Sequence, residues 1–144
     1  MFVIQSLGGV RIQDSSGVTV RLRSRKHVAL FLYLAAAGRR VYTRDSLARL
    51  LWNTPLERAR HSLSQALYDL RRNLPGTVGS ATGDALSLDP ATFQLDALEF
   101  ERALKRGDLS LAVELYRGPF ADNLSQTGTS LLYTSDAADD TSVE

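Results

Sequence analysis

Residues 57–74 read ERARHSLSQALYDLRRNL, and the polar side chains of this stretch are of the types that recognise nucleic acid. Arginine can bond bidentately to guanine and glutamine to adenine, while shorter polar groups reach either base edges or phosphates. Arg60, His61, Ser62, Gln65, Tyr68 and Asp69 are therefore the candidate base contacts. Arg58, Arg71 and Arg72 on the same stretch are candidate phosphate contacts. Arg25, Lys26, Arg40 and Arg44 join them, near the ends of earlier helical stretches where cations would register a domain on a duplex.

Nothing else in the chain competes as a chemical site. There is no cysteine, and His27 and His61 are too far apart to suggest metal-ligand spacing. LGG and GTVGSATG are glycine-rich but lack the Gly-Lys-Ser/Thr of a phosphate loop and the dinucleotide fingerprint. Acid pairs such as Glu99 and Glu101 read as solvated charges. The expectation is a protein that is not an enzyme and needs neither cofactor nor metal.

The net charge of +1 conceals a strong asymmetry. Residues 1–74 hold thirteen basic and four acidic side chains, a net of +9, whereas residues 75–144 hold four basic and twelve acidic ones, a net of −8. A basic half of this kind calls for an electrostatic partner. At 144 residues and 44% hydrophobic, the chain can bury one core and carry an appendage. The absence of cysteine fits a reducing compartment, MFVIQSLGGVRIQ lacks the pattern of a secretion signal, and no stretch is long and apolar enough to span a bilayer. A cytoplasmic protein without a membrane partner is expected.

Several elements must position the candidate face. FVIQSLGGVRIQ and VTVRLRS, separated by DSSG, predict an N-terminal antiparallel sheet. SRKHVALFLYLAAAGRR predicts a buried helix capped by Ser24 and ended at Gly38, in which His27 is structural. VYTRDSLARLLW predicts a shorter helix, with Thr43 as N-cap, Asp45 in its first turn and Trp52 as a core residue at its end. TPLERARHSLSQALYDLRRNLPG follows, with Thr54 and Glu57 in capping-box register and Pro55 at the first helical position. Its apolar stripe of Ala59, Leu63, Ala66, Leu67, Leu70 and Leu74 turns the candidate residues outward. ALSL and FQL about DPAT predict a hairpin. DALEFERALKRGDLSLAVELYRG then predicts two short helices in an αα-hairpin, opened by a capping box at Asp96 and Glu99.

This order predicts an α+β winged helix-turn-helix over residues 1–96, with an N-terminal antiparallel sheet and a C-terminal hairpin. The first αα-hairpin of a truncated helical-repeat domain follows over 97–124, because one such unit cannot bury its own apolar face. Residues 125–144 read as a disordered tail. Within it, residues 131–140, LLYTSDAADD, match the translation of a transposase-type sequencing adapter, so the native frame is expected to end near 124–130. A charged helical face is most often merely solvated. Here the face belongs to the third helix before a hairpin, where a recognition helix would enter the major groove.

RKHVALFLYLAAAGRRVYTRDSLARLLW followed by RARHSLSQALYDLRRNL resembles the OmpR-type winged-helix domain of the Streptomyces antibiotic regulatory proteins. DALEFERALKRGDLSLAVELYRGPFADNL is similar to the start of their bacterial transcriptional activator domain. The resemblance implies an activator of transcription that binds double-stranded DNA at promoter direct repeats and recruits RNA polymerase, with a tetratricopeptide-like helical activator domain; because each domain presents only one recognition helix, a dimer on DNA occupying adjacent repeats is expected. It assigns Arg60, His61, Ser62 and Gln65 to the groove and Arg71 and Arg72 to phosphates. The chain departs from the family in NTPLE, shorter than the usual loop before this helix, and in a hairpin region with no Lys or Arg between Arg72 and Arg102. A module whose basic face binds an acidic partner domain, without reading bases, is the competing reading.

Overall fold

The computed structural model describes residues 1–38, 40–79 and 84–122 of the chain. The tail and its adapter match lie outside the described residues. Within them, five α-helices pack with two small three-stranded sheets. The first sheet begins with β1 (Phe2–Gln5) and β2 (Arg11–Gln13), which pair antiparallel as expected. VTVRLRS contributes only a single bridge, Gln13 to Thr19, beside a turn whose amides at Ser16 and Val18 bind the Asp14 carboxylate.

Helix α1 (Arg25–Ala36) starts at Ser24, whose Oγ accepts the His27 amide at 3.3 Å, and is left by Gly38 at φ 69°. That left-handed conformation favours glycine, which is why the helix stops there. A short strand β3 (Tyr42–Thr43) leads into α2 (Arg44–Leu51), where Thr43 Oγ1 accepts the Ser46 amide at 3.1 Å. After a brief turn comes α3 (Leu56–Asn73). The capping box expected at its start does not form. Pro55 rather than Thr54 is the N-cap, which moves Glu57 one position too early to reach back, and Thr54 Oγ1 instead lies 3.5 Å from the Pro55 carbonyl.

The hairpin is built differently from the sequence expectation. β5 (Ala85–Leu88) pairs antiparallel with β4 (Val78–Gly79) on one side and β3 on the other. β6 (Phe93–Leu95), taken as its partner, crosses instead to the N-terminal sheet and pairs parallel with β1, Phe2 opposite Phe93 and Ile4 opposite Leu95. Both strands bury their apolar residues in the same core from different sheets, Leu86 and Leu88 from β5 and Phe93 and Leu95 from β6, with Phe93 edge-on to Phe31 at 6.1 Å between ring centres. A single core joins α1, α2, the inner stripe of α3 and both sheets, and Trp52 is buried in it. Leu63, Leu67, Leu70 and Leu74 are each at most 1% exposed. Each such side chain contributes about 1.5 to 3 kcal/mol of burial, enough to fix which way α3 faces.

Helices α4 (Asp96–Lys105) and α5 (Leu109–Leu115) form the expected helical hairpin. The capping box at its start is absent too, because Asp96 is used elsewhere. Its carboxylate accepts the Ser6 amide at 2.8 Å, the Ser6 hydroxyl at 2.6 Å and the Leu7 amide at 3.0 Å. The chain beyond α5 returns to the same strand end, where Ala121 N–H donates to Ser6 and Gly8 N–H to Pro119. Gly118 crosses Gly8 so closely that a Cβ there would meet the Gly8 Cα at 2.9 Å. Hydrogen bonds thus cross the boundary expected at residue 96. No helix among the described residues is long and apolar enough to cross a membrane.

Candidate nucleic-acid interface

Helix α3 divides cleanly. Ala59, Leu63, Ala66, Leu67 and Leu70 face the core, and Arg58, Arg60, His61, Ser64, Gln65, Tyr68, Arg71 and Arg72 are exposed. Ser62 is half-buried on one flank. An exposed tyrosine, 60% accessible, in the middle of this face has its ring available for contact rather than committed to packing. Arg72 Nη1 lies 3.5 Å from the Tyr68 hydroxyl one turn away. An open groove of about 670 Å³ runs beside the face, lined by Gln65 and Tyr68 on one side and by Arg23 and Ser24, at the start of α1, on the other. Arg25, exposed in the first turn of α1, is therefore close to the face expected to read bases. Arg40 is also exposed, between α1 and β3.

Two of the candidate contacts are corrected by their burial. Asp69 is 1% exposed and accepts three hydrogen bonds: the Arg23 amide at 2.7 Å, His27 Nδ1 at 2.7 Å and Asn73 Nδ2 at 2.6 Å. It ties α3 to the start of α1 and cannot reach a base. Lys26 is 8% exposed, and its Nζ donates to the Leu51 carbonyl at 2.6 Å. That carbonyl ends α2 and has no partner within the helix, so the ammonium satisfies it at the negative end of the dipole instead of meeting a phosphate.

Two other residues belong to the face and were absent from the sequence assignment. Ser64 is exposed one turn beyond Arg60, and Arg44 Nη2 lies 3.5 Å from its hydroxyl, which brings Arg44 from α2 onto the α3 surface. The four-residue spacing from Arg60 is the signal that would have found it. Asp45 was read only as a first-turn acid. Its Oδ1 accepts from Arg60 Nε and its Oδ2 from Arg60 Nη2, each at 2.9 Å. The hydrogen bond from Arg60, reinforced by its charge, holds the Asp45 carboxyl below the usual carboxylate range, and Asp45 in turn raises the Arg60 guanidinium. No local spacing announces a pair fifteen residues apart on two helices.

The face offers donors, a few acceptors and one aromatic ring, without a nucleophile paired to a base. Among the described residues no group of three potential ligands could hold a metal ion. No family model and no curated protein matches the chain. Among solved structures it is similar to Mycobacterium tuberculosis EmbR in complex with a low affinity phosphopeptide, with a TM-score of 0.64 and 25% identity. The likeness covers 87% of this chain but only 38% of that one, so the chain spans well under half of that protein's length. It supports a relationship to winged-helix regulators of the Streptomyces antibiotic regulatory type.

Proposed function

We propose that this chain is a non-enzymatic transcriptional regulator that acts by binding promoter DNA, with α3 inserted into the major groove as the recognition helix of a winged helix-turn-helix. The observation that carries this reading is the composition of the exposed α3 face. Arg60, His61 and Gln65 stand together on the side opposite a buried leucine stripe, flanked by Arg58, Arg71 and Arg72. Arginine and glutamine there can read guanine and adenine, while the flanking arginines, with Arg25, Arg40 and Arg44, neutralise phosphates. The β4–β5 hairpin would lie against the adjoining backbone as a wing without basic side chains among its described residues.

Each domain presents one recognition helix, so a single copy binds weakly and adjacent copies on direct repeats gain affinity from their neighbours. In the related regulators the helical segment after the hairpin belongs to an activator domain, and activation through RNA polymerase is the corresponding role here. The test is fluorescence anisotropy of the full chain against a duplex selected from a random pool and against a scrambled duplex, each over a range of salt. A marked preference for the selected duplex, with a steep fall in affinity as salt rises, is the expected result. Equal binding of both duplexes would remove base reading from α3 and leave the charged face to an acidic protein partner.

A further inference from the structure

Arg60 and Asp45 form a side-on pair, and which nitrogens it uses decides what the pair can do. Arginine has five N–H donors: one on Nε and two on each Nη. Asp45 takes the Nε donor and one Nη2 donor, both at 2.9 Å. Both Nη1 hydrogens and the second Nη2 hydrogen remain, and these form the end-on fork that spans guanine O6 and N7. The carboxylate therefore fixes the plane and direction of the guanidinium without occupying its reading edge.

The rest of the geometry suits such a role. Asp45 stands in the first turn of α2, anchored through the Thr43 cap, and Leu47, Ala48 and Leu51 of the same helix are buried against the core. The carboxylate is thus carried on a rigid support, whereas a long arginine side chain left alone on a helix samples many rotamers. Ordering it before the duplex arrives reduces the entropy lost on binding. The side chains are 52% and 43% exposed, so solvent screens the pair and it adds little to folding stability. Asp45 also adds one negative charge to this corner, which slightly lowers its long-range attraction for DNA of any sequence.

We propose that Asp45 is a positioning residue that sets base specificity, holding Arg60 with its end-on fork directed at one guanine of the operator. This rests on the DNA-reading function proposed above. The experiment measures binding of the full chain to the selected duplex, to single-base variants of it and to the scrambled duplex. With Asp45→Asn, the preference for guanine at one position falls about tenfold, the order of a lost bidentate contact, while the other positions keep theirs. Binding to the scrambled duplex stays equal or becomes tighter, because a negative charge has been removed; a loss of fold would weaken every duplex instead. Arg60→Lys, which keeps the charge and discards the fork, loses preference at the same position. In an Arg60→Ala background Asp45→Asn has no further effect there. If the unaltered chain prefers the selected duplex and Asp45→Asn leaves every base preference intact, or adds independently to Arg60→Ala, the role of Asp45 is overturned and the DNA-reading function stands. Equal binding of all duplexes by the unaltered chain overturns both.

Discussion

Asp69→Ala should destabilise the fold without touching base preference, and the size of the effect follows from what the carboxylate holds. Three donors converge on it, from the Arg23 amide, His27 Nδ1 and Asn73 Nδ2, all within 2.7 Å. Alanine leaves the Arg23 amide and His27 Nδ1 without a partner, while Asn73 Nδ2 loses one bond and keeps its 3.1 Å bond to the residue 69 carbonyl. A buried donor so abandoned costs about 1 to 3 kcal/mol, but the Arg23 and His27 groups border the groove beside α3, where water can enter and recover part of the loss. The net expectation is about 3 to 4 kcal/mol, a large share of the ~5 to 15 kcal/mol that holds a domain of this kind together. In urea, with a slope near 2 kcal/mol per molar, the midpoint falls by roughly 1.5 to 2 M.

Asp69→Asn separates charge from hydrogen bonding. An amide oxygen at the Oδ2 position can still accept from Arg23 and His27, so only the bond from Asn73 is lost, and Asn73 retains its 3.1 Å bond to the Asp69 carbonyl. The cost is about 1 kcal/mol. Anisotropy on the folded fraction of either variant should show the base preference of the unaltered chain. A variant of near-normal stability that loses preference at one base would refute the burial argument and return Asp69 to the reading face.

The remaining expectations test other parts of the molecule. Arg60→Ala and Gln65→Ala each relax preference at one position by about tenfold, whereas Arg72→Ala weakens selected and scrambled duplexes alike and lowers the salt slope by about one; equal losses on every duplex for all three would refute the assignment of the face. Asp96→Ala removes three hydrogen bonds to Ser6 and Leu7 and costs about 3 kcal/mol, with faster amide hydrogen exchange at those two residues, and unchanged exchange would show that α4 is held by packing alone. Because the hydrogen bond from Arg60 lowers the Asp45 pKa, the pair is fully formed above 3.8 and is lost only as pH falls through the lower folded value; an NMR titration of the Asp45 carboxyl with its midpoint at or above 3.8 would show that the pair does not form in solution.

What could be read from the sequence was local, and what could not was tertiary. Ser24, Gly38 and Thr43 announced the ends of α1 and the start of α2 because a cap acts within four residues of itself. The leucine stripe of α3 was legible for the same reason, since 3.6-residue periodicity needs no partner to be seen. ALSL and FQL were correctly extended but wrongly paired. Strand character is local, whereas the choice between a neighbour and β1, some ninety residues away, is made by the packing of the whole chain. Asp69 was misplaced because it sits at the edge of the stripe beside half-buried Ser62 and Asn73, and only the arrival of α1 decides that this edge is covered. Lys26 was misplaced likewise, by the end of α2 meeting α1.

The few acids of the basic half show how a net charge is distributed over individual residues. Of the four acids in residues 1–74, Asp14 binds turn amides, Asp69 binds α1 and Asn73, and Asp45 binds Arg60. Each is engaged by donors from the chain itself, so none of these three offers a bare carboxylate to an incoming phosphate backbone. Two acids at full exposure on such a face would cost affinity with no compensating order. One acid clamped to one arginine costs little long-range attraction and gives that arginine a direction. On this argument the exposed arginines of α3 are not equivalent. Under the proposed function Arg58, Arg71 and Arg72 act as general phosphate ligands, while Arg60, alone among the described arginines of α3 in having an aspartate of a second helix against its Nε–Nη2 edge, is the one whose loss should be felt as specificity.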